Sequence, residues 1–217
     1  MNILFFDSET TGIPRWDLPA DHEDQPRIVD LAGVLCDDAG KEIARFESIV
    51  TPDGWTVHEG AARVHGITTE IALKEGRPIA EVLDGFDALV AQAGLLVAFN
   101  LRFDDKLLRG ERRRLERPDG FGTVPVFCAM KGATPLCKIP PTKKMTSAGF
   151  AKFKTPRLSE AVKILLERDH DGAHRAMADT LATRDLYFAC RENKEFTEAG
   201  SAFATNSAKA DEAAKVA

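Results

Sequence analysis

The sequence lacks several features that define other classes of protein. Its 217 residues include four cysteines, but no Cys-x-x-Cys pair suggests a zinc knuckle or a redox motif, and we expect reduced thiols. No apolar run approaches the roughly 20 residues of a membrane-spanning helix. The net charge of −5 argues against a protein that coats nucleic acid without discrimination, although it allows local basic patches.

The ends of the chain also lack recognisable signals. No basic region precedes the first apolar run, and that run ends in Asp7 without a small-residue cleavage site, so we expect a cytoplasmic protein without a signal peptide. The hydrophobic fraction of 44% and the length are typical of one globular core. We expect a domain over residues 1–192 and a flexible tail over 193–217, which is polar and alanine-rich without an apolar stripe.

Two acids follow the first apolar run. Ile3–Phe6 is apolar at every position, which is typical of a central strand covered on both faces. Asp7 and Glu9 then point to the same face, with their carboxylates a few ångströms apart, where they repel each other unless a cation lies between them. An ordinary turn, built by residues 10–14, also explains the pattern. Further carboxylates would favour a Mg²⁺ or Mn²⁺ site.

The rest of the pattern predicts an α/β domain that begins with a β-meander. The predicted strands are Arg27–Cys36, Ile43–Val50, Leu95–Phe99 and Val124–Ala129, and the predicted helices cover a short stretch at 60–65, Pro78–Val90, a stretch from Asn100, Leu158–Leu166, and Asp171 to about Cys190.

Further candidate site residues lie after a buried strand and on the last helix. Asn100 is a plausible helix cap after Leu95–Phe99, and Asp104 lies one turn inside that helix, where it can face Asp7 and Glu9 across the sheet edge. His174 and Asp179 are five residues apart, so they serve one site only if His174 lies at the start of the last helix.

Two basic stretches have open interpretations. Arg109 and Arg112–Arg114 form a basic helix face, which is either a solvated surface or a binding surface. The segment Lys138–Arg157 holds six basic residues, no acid, and Phe150 and Phe153. Basic and aromatic side chains together suit single-stranded nucleic acid, but a solvated loop accounts for the composition equally well.

Three motifs together resemble those of a known family. They are Phe6-Asp7-Ser8-Glu9-Thr10-Thr11-Gly12, Asn100-Leu101-Arg102-Phe103-Asp104 and His174-Arg175-Ala176-Met177-Ala178-Asp179, supported by Val64-His65-Gly66-Ile67-Thr68. In this order they resemble the DnaQ-like, DEDDh 3′→5′ exonuclease family, whose superfamily contains the DNA polymerase III proofreading subunit and ribonuclease T. Similar proteins often carry histidine where this chain has Phe99, which bears on substrate preference.

The resemblance implies an RNase H-like α/β fold, with a five-stranded mixed sheet whose second strand is antiparallel, flanked by helices. It also implies two divalent metal ions, Mg²⁺ or Mn²⁺, that Asp7 bridges. Glu9 and Asp179 would complete the coordination of one ion, Asp104 would bind the other, and His174 would be the general base. The residues expected to contact substrate are Thr10, Thr11, Gly12, His65, Asn100, Phe103, Lys143, Lys144, Lys152 and Lys154, although His65 by itself is more typical of a structural histidine.

The implied function is metal-dependent hydrolysis of nucleic acid from its 3′ end, on DNA in preference to RNA, with release of nucleoside 5′-monophosphates. The expected partners are single-stranded nucleic acid or 3′ ends, in repair or turnover. An RNA-trimming exoribonuclease and a polymerase proofreading subunit are the alternatives. A proofreading subunit would carry a tail that docks on a polymerase or a sliding clamp. No docking motif is visible in this tail, since the only glutamines, Gln25 and Gln92, lie outside it. A catalytically dead binding module is disfavoured by the complete set of acids.

Overall fold

A computed structural model describes residues 1–118 and 120–202 of the chain. The strands are β1 Ile3–Thr10, β2 Ile28–Cys36, β3 Glu42–Ile49, β4 Leu95–Ala98 and β5 Val126–Cys128. The helices are α1 Glu59–His65, α2 Thr69–Glu75, α3 Ile79–Val90, α4 Leu101–Arg114, α5 Ala129–Cys137, α6 Lys143–Ser147, α7 Leu158–Leu165, α8 Ala176–Cys190 and α9 Lys194–Ser201. Within the described ranges, no helix is both long and apolar enough to cross a membrane.

The central strand of the sheet is β1, as its apolar sequence predicts. The strand order is β3-β2-β1-β4-β5, and β1 pairs antiparallel with β2 and parallel with β4. The outer pairs are antiparallel for β2 with β3 and parallel for β4 with β5. The predicted five-stranded mixed sheet with an antiparallel second strand is therefore confirmed.

Each face of β1 belongs to a different hydrophobic core. Leu4 and Phe6 join a cluster with residues of α3 and α4, whereas Ile3 and Phe5 join one with residues of α5, α7, α8 and α9. Because side chains alternate along a strand, positions 7 and 9 continue the face of Ile3 and Phe5, towards α8. Ser8 continues the other face, towards α4. The alternation sets the geometry of the candidate site.

Several predicted boundaries differ from those in the structure. Strand β5 has three residues instead of the six expected for Val124–Ala129, and the short helix α6 lies within the segment Lys138–Arg157, for which a solvated loop was one of the two interpretations. Helix α8 begins at Ala176, because residues 171–175 form a turn that includes positive φ angles at Gly172 and His174. All four cysteines are buried and free.

The packed part of the chain extends beyond the expected boundary at residue 192. The side chain of Asn193 caps α9 by accepting hydrogen bonds from the N–H groups of Glu195 and Phe196, at 2.9 and 3.3 Å. Phe196 is fully buried against α5, where a Cβ atom on Gly132 would lie 2.9 Å from the phenyl ring. A helix cap and a buried phenylalanine therefore hold α9 against the domain. Residues 203–217 of the expected tail lie outside the described residues.

Candidate active site

Three of the four predicted acids converge at the edge of the core. Asp7 and Glu9 of β1 and Asp179 of α8 each offer a carboxylate oxygen within 4.8 Å of the others. Burial, and then the charges of neighbouring acids, raise the pKa of Asp7 well above its ordinary value. Burial and Asp179 raise the pKa of Glu9 to about 8. Clustered, partly dehydrated carboxylates of this kind suit a hard divalent cation, which offers the positive charge that the site lacks.

Asp104 lies beside this group, on the α4 side of β1. It sits in the first turn of α4 with 3% of its surface exposed. Its Oδ1 accepts hydrogen bonds from the N–H of Ser8 at 3.1 Å and from the Ser8 hydroxyl at 2.7 Å. Burial raises the pKa of Asp104 to about 7, and the Ser8 hydrogen bonds oppose the rise. After burial, Asp104 is the largest cause of the raised pKa of Asp7, so the four acids form one electrostatic site.

His174 lies just before α8, the one placement in which it can share a site with Asp179. The side chain of His174 is exposed, and its backbone N–H donates to Asp179 Oδ1 at 3.3 Å. Its backbone adopts the left-handed region, with φ at 67°, which is uncommon for a residue other than glycine. Backbone outliers of this type concentrate at functional sites.

A second histidine, which the sequence analysis did not single out, contacts the same acid. His170 Nε2 lies 2.6 Å from Asp179 Oδ1, and the His170 side chain is only 3% exposed. Oδ1 of Asp179 thus has two nitrogen partners, the ring of His170 and the backbone of His174. His170 lies four residues before His174, a spacing that would place both side chains on one face of a helix. The two residues are instead connected by a turn, so the spacing alone did not identify His170.

The turn after β1 is held by internal hydrogen bonds. The Thr10 hydroxyl donates to the Gly12 carbonyl at 2.7 Å, and the Thr11 N–H donates to the Arg27 carbonyl at 3.0 Å. His65 is buried, and burial lowers the pKa of its imidazole, while the backbone of Thr10 lies close enough to oppose that shift. His65 therefore lies in the interior, close to the backbone of Thr10.

The motif around Asn100 is placed as predicted, with one difference. Asn100 immediately precedes α4, but its side chain makes no capping hydrogen bond. Phe103 is partly buried and packs against the core that includes residues of α3 and α4. Phe99 is buried in the core on the other side of the sheet, with residues of α5, α7, α8 and α9. Phe99 therefore fills space in the protein interior.

The four candidate lysines fall into two groups. Lys143, Lys144 and Lys152 are exposed. The ammonium of Lys154, in contrast, contacts both carboxylate oxygens of Glu160, at 2.7 and 2.6 Å. The charge of Lys154 is thus neutralised within the protein at the start of α7, which makes it the weakest candidate of the four for phosphate binding.

An additional acid borders the site, and the sequence analysis missed it as well. Asp30 lies directly opposite Glu9 in the β1–β2 ladder and is fully buried. Burial and Glu47 raise its pKa to about 6, while the charge of Arg175, whose Nε is 3.9 Å from Asp30 Oδ2, opposes the rise. A single acid within the apolar run of β2 was the signal that could have identified it.

Comparisons with known proteins agree with this geometry. The sequence model of a family described as exonuclease matches residues 4–187. DNA polymerase III subunit epsilon of Buchnera aphidicola subsp. Acyrthosiphon pisum is 25% identical over 185 residues, which are 85% of this chain and 70% of that protein.

Solved structures with the same fold include two exonuclease I proteins. The match to exonuclease I of E. coli, in complex with a dT13 oligonucleotide, has a TM-score of 0.69 at 21% identity. It covers 88% of this chain and 41% of the exonuclease I chain. The match to exonuclease I of Methylocaldum szegediense has a TM-score of 0.67 at 21% identity. It covers 90% of this chain and 42% of that exonuclease I. The chain therefore spans about two fifths of the length of these proteins.

The sheet order and the acids at the end of its central strand define an RNase H-like α/β protein with an acidic site of the type that binds divalent cations. The chain belongs to the exonuclease family, since the family model covers most of its length. This confirms the membership predicted from the three motifs, and with it the prediction of an enzyme that hydrolyses phosphodiester bonds.

Proposed function

We propose that the protein is a metal-dependent 3′→5′ exonuclease that acts on single-stranded DNA and releases nucleoside 5′-monophosphates. The observation that carries the proposal is the convergence of Asp7, Glu9 and Asp179, whose carboxylate oxygens lie within 4.8 Å of one another. An uncompensated buried cluster of this kind destabilises the fold, so its presence favours a function that needs it.

The donor set fits hard divalent cations, since it consists of carboxylate oxygens, and burial followed by the charges of neighbouring acids raises the pKa values of Asp7 and Glu9. Asp7, Glu9 and Asp179 would hold one Mg²⁺ or Mn²⁺, and Asp7 with Asp104 a second. When bound, two such ions stabilise the attacking and leaving oxygens of a phosphodiester displacement.

His174 would act as the general base of the reaction. Its side chain is exposed and its backbone N–H donates to Asp179, and imidazole exchanges protons near neutral pH. It would take a proton from the water that attacks the last phosphodiester. The bond from phosphorus to the 3′ oxygen of the penultimate nucleotide would then break, so that the terminal nucleotide leaves with a 5′-phosphate.

The preference for single-stranded DNA draws its support from relatives and from exposed side chains. Exonuclease I has been solved with dT13 and dA16 oligonucleotides. In this chain Phe150 and Phe153 are exposed within the basic segment 138–157, where rings and charges could contact bases and phosphates.

The experiment is a comparison of 5′-labelled substrates with the purified protein in Mg²⁺ or Mn²⁺. Single-stranded DNA should yield a ladder that shortens from the 3′ end, faster than RNA or blunt duplex, and EDTA should stop it. A 3′-labelled strand should release labelled mononucleotide from the first turnover. Asp7→Asn should be inactive, whereas Asp53→Asn, at an exposed acid outside the cluster, should match the wild type. Internal cuts or degradation from the 5′ end would refute the proposal.

A role as a proofreading subunit is the second candidate, because the curated relative is a DNA polymerase III subunit. Co-purification with a polymerase catalytic subunit, and an increased excision of mispaired 3′ ends in that complex, would favour it. Equal activity on paired and mispaired ends, with no stable complex, would favour an exonuclease that acts alone.

A further inference from the structure

The segment between β1 and β2 has no helix or strand, yet one buried side chain organises it. We call residues 13–26 the ledge. Gln25, 3% exposed, donates through its amide to the carbonyls of Arg15, Leu18 and Pro19, at 2.8, 3.2 and 2.8 Å. Its Oε1 accepts from the Arg15 N–H at 2.9 Å. Four hydrogen bonds from one glutamine therefore give the ledge a defined shape.

The ledge is also fastened along α4. The Lys106 ammonium donates to the Leu18 carbonyl at 2.6 Å, and the Arg114 guanidinium donates to the His22 carbonyl at 3.0 Å. Between these contacts, a Cβ atom on Gly110 would lie only 2.3 Å from the Ala20 carbonyl oxygen. The backbone of the ledge thus lies directly on the helix, and Asp104 belongs to the first turn of the same helix.

The ledge exposes an aromatic ring next to two cations. Trp16 is 42% exposed. The Arg102 guanidinium lies 4.2 Å from the centre of its ring and the Lys106 ammonium 5.7 Å, within the range of cation–π interactions. Arg102 is itself exposed and precedes Asp104 by two residues. The platform of Trp16, Arg102 and Lys106 therefore lies at the first two turns of α4, the helix that carries Asp104.

We propose that the platform binds the single-stranded part of the substrate outside the acidic site, with a base stacked on Trp16 and a phosphate near Arg102. The inference rests on the proposed function and extends it. Bases of any sequence stack on aromatic rings, and cations beside the ring complement the phosphate charge. In a chain with a net charge of −5, two cations beside an exposed indole offer a surface that complements an anionic, aromatic polymer.

The first test uses the fluorescence of Trp16 in metal-free protein, where no hydrolysis occurs. The chain has two tryptophans, so Trp55→Phe leaves Trp16 as the only reporter, and Trp16→Phe leaves Trp55. Titration with oligo(dT) should quench the emission of the Trp55→Phe protein and change that of the Trp16→Phe protein little. An emission of Trp16 that stays constant at saturating oligo(dT) would overturn the proposal.

The second test separates the platform from the chemistry. Trp16→Ala should raise KM for an oligonucleotide by about 5- to 100-fold with little change in kcat, because a stacked base is lost outside the reacting centre. Trp16→Phe should restore most of the affinity. Hydrolysis of the p-nitrophenyl ester of thymidine 5′-monophosphate, which has no second nucleotide, should be unaffected. Arg102→Ala should reduce the log–log salt slope of oligonucleotide binding by about one.

A matched control and the opposite outcomes complete the design. Ile43→Ala removes an exposed apolar side chain from β3 and should leave every parameter unchanged. Equal losses on the oligonucleotide and the ester in Trp16→Ala would show that the ledge supports the fold of the site instead of binding a strand. If wild-type protein hydrolyses neither substrate, the proposed function fails, while the fluorescence titration still decides whether the platform binds nucleic acid.

Discussion

The acidic site and the basic segment 138–157 present opposite physical arrangements. The acids are partly or fully buried and lie on β1, α4 and α8. Burial raises the pKa values of Asp7, Glu9 and Asp104, and the charges of neighbouring acids add to the rise for Asp7 and Glu9. The basic segment is mostly exposed. Among residues 1–118 and 120–202, Lys154 alone of its candidate lysines has an ion pair, with Glu160.

This difference predicts different effects of substitution in the two regions. Charges held inside a fold interact through a low dielectric, whereas exposed charges are screened within about 8–10 Å at physiological salt. Substitutions in the acidic site should therefore change the rate by orders of magnitude, and substitutions in the basic segment should change affinity by small factors.

The largest expected effect is that of neutralising one acid. Asp7→Asn, Glu9→Gln, Asp104→Asn and Asp179→Asn should each lower kcat by about 10³-fold or more, because each would remove a ligand of the proposed metal site, which would contribute several kcal/mol. Circular dichroism should show a folded protein in each case. A variant that loses its secondary structure would assign that acid a structural role.

His174→Ala should have the next largest effect, a decrease in kcat of about 10²- to 10⁴-fold with unchanged affinity for DNA, since a general base acts in the transition state. Affinity is measured by fluorescence anisotropy in EDTA. His58→Ala, at an exposed histidine before α1, should keep the wild-type rate. A normal rate in His174→Ala would remove this histidine from the mechanism.

His170 connects the acidic site to the turn before α8, and its removal should weaken metal binding. We expect His170→Ala to lower the affinity for Mn²⁺ by about 10- to 100-fold, as for other groups that orient a metal-binding carboxylate. Calorimetry of Mn²⁺ binding without substrate is the measurement. His170→Gln, whose amide can donate to Asp179, should recover part of the affinity. Equal affinities in all three proteins would contradict this role.

The basic segment should show a smaller effect, confined to binding. Lys143→Gln, Lys144→Gln and Lys152→Gln combined should raise KM a few-fold and reduce the log–log salt slope by up to about one unit per lost phosphate contact. Lys154→Gln, which breaks the pair with Glu160, should leave the slope unchanged and lower Tm slightly. An unchanged slope in the triple variant would favour the α4 face as the binding surface.

The last prediction concerns stability instead of activity, namely its pH dependence without metal. The pKa values of Glu9 and Asp104 are raised to about 8 and about 7, so the folded protein binds protons more tightly than the unfolded chain. The resulting stabilisation is complete below about pH 4 and is lost as the pH rises to about 8. We expect the Tm contribution of these acids to decline over this range in EDTA, and Glu9→Gln to reduce the decline.

The sequence predicted those parts of the site that follow from strand periodicity and sheet topology. Asp7 and Glu9 share a face because side chains alternate, and Asp104 follows a second buried strand that pairs with the first. The prediction that His174 and Asp179 share one site required only that the last helix begin after His174, and α8 begins at Ala176.

The remainder depends on contacts that no periodicity encodes. His170 reaches Asp179 through a turn with left-handed residues, and Asp30 faces Glu9 only because of the register between β1 and β2. Gln25 forms the ledge through hydrogen bonds to three carbonyls within its own loop. Phe196 is a single apolar residue in a polar stretch, and its burial depends on the space beside Gly132.

The docking of α9 has a consequence for the lifetime of the protein. Losing the phenyl ring of a buried phenylalanine such as Phe196 typically costs about 3–5 kcal/mol, a large part of the roughly 5–15 kcal/mol that stabilises a domain. A protease that cuts between α8 and α9 would therefore do more than trim the chain. It would expose Phe127 and the surface of α5 and leave a remnant prone to aggregation, although every acid of the site would still be present.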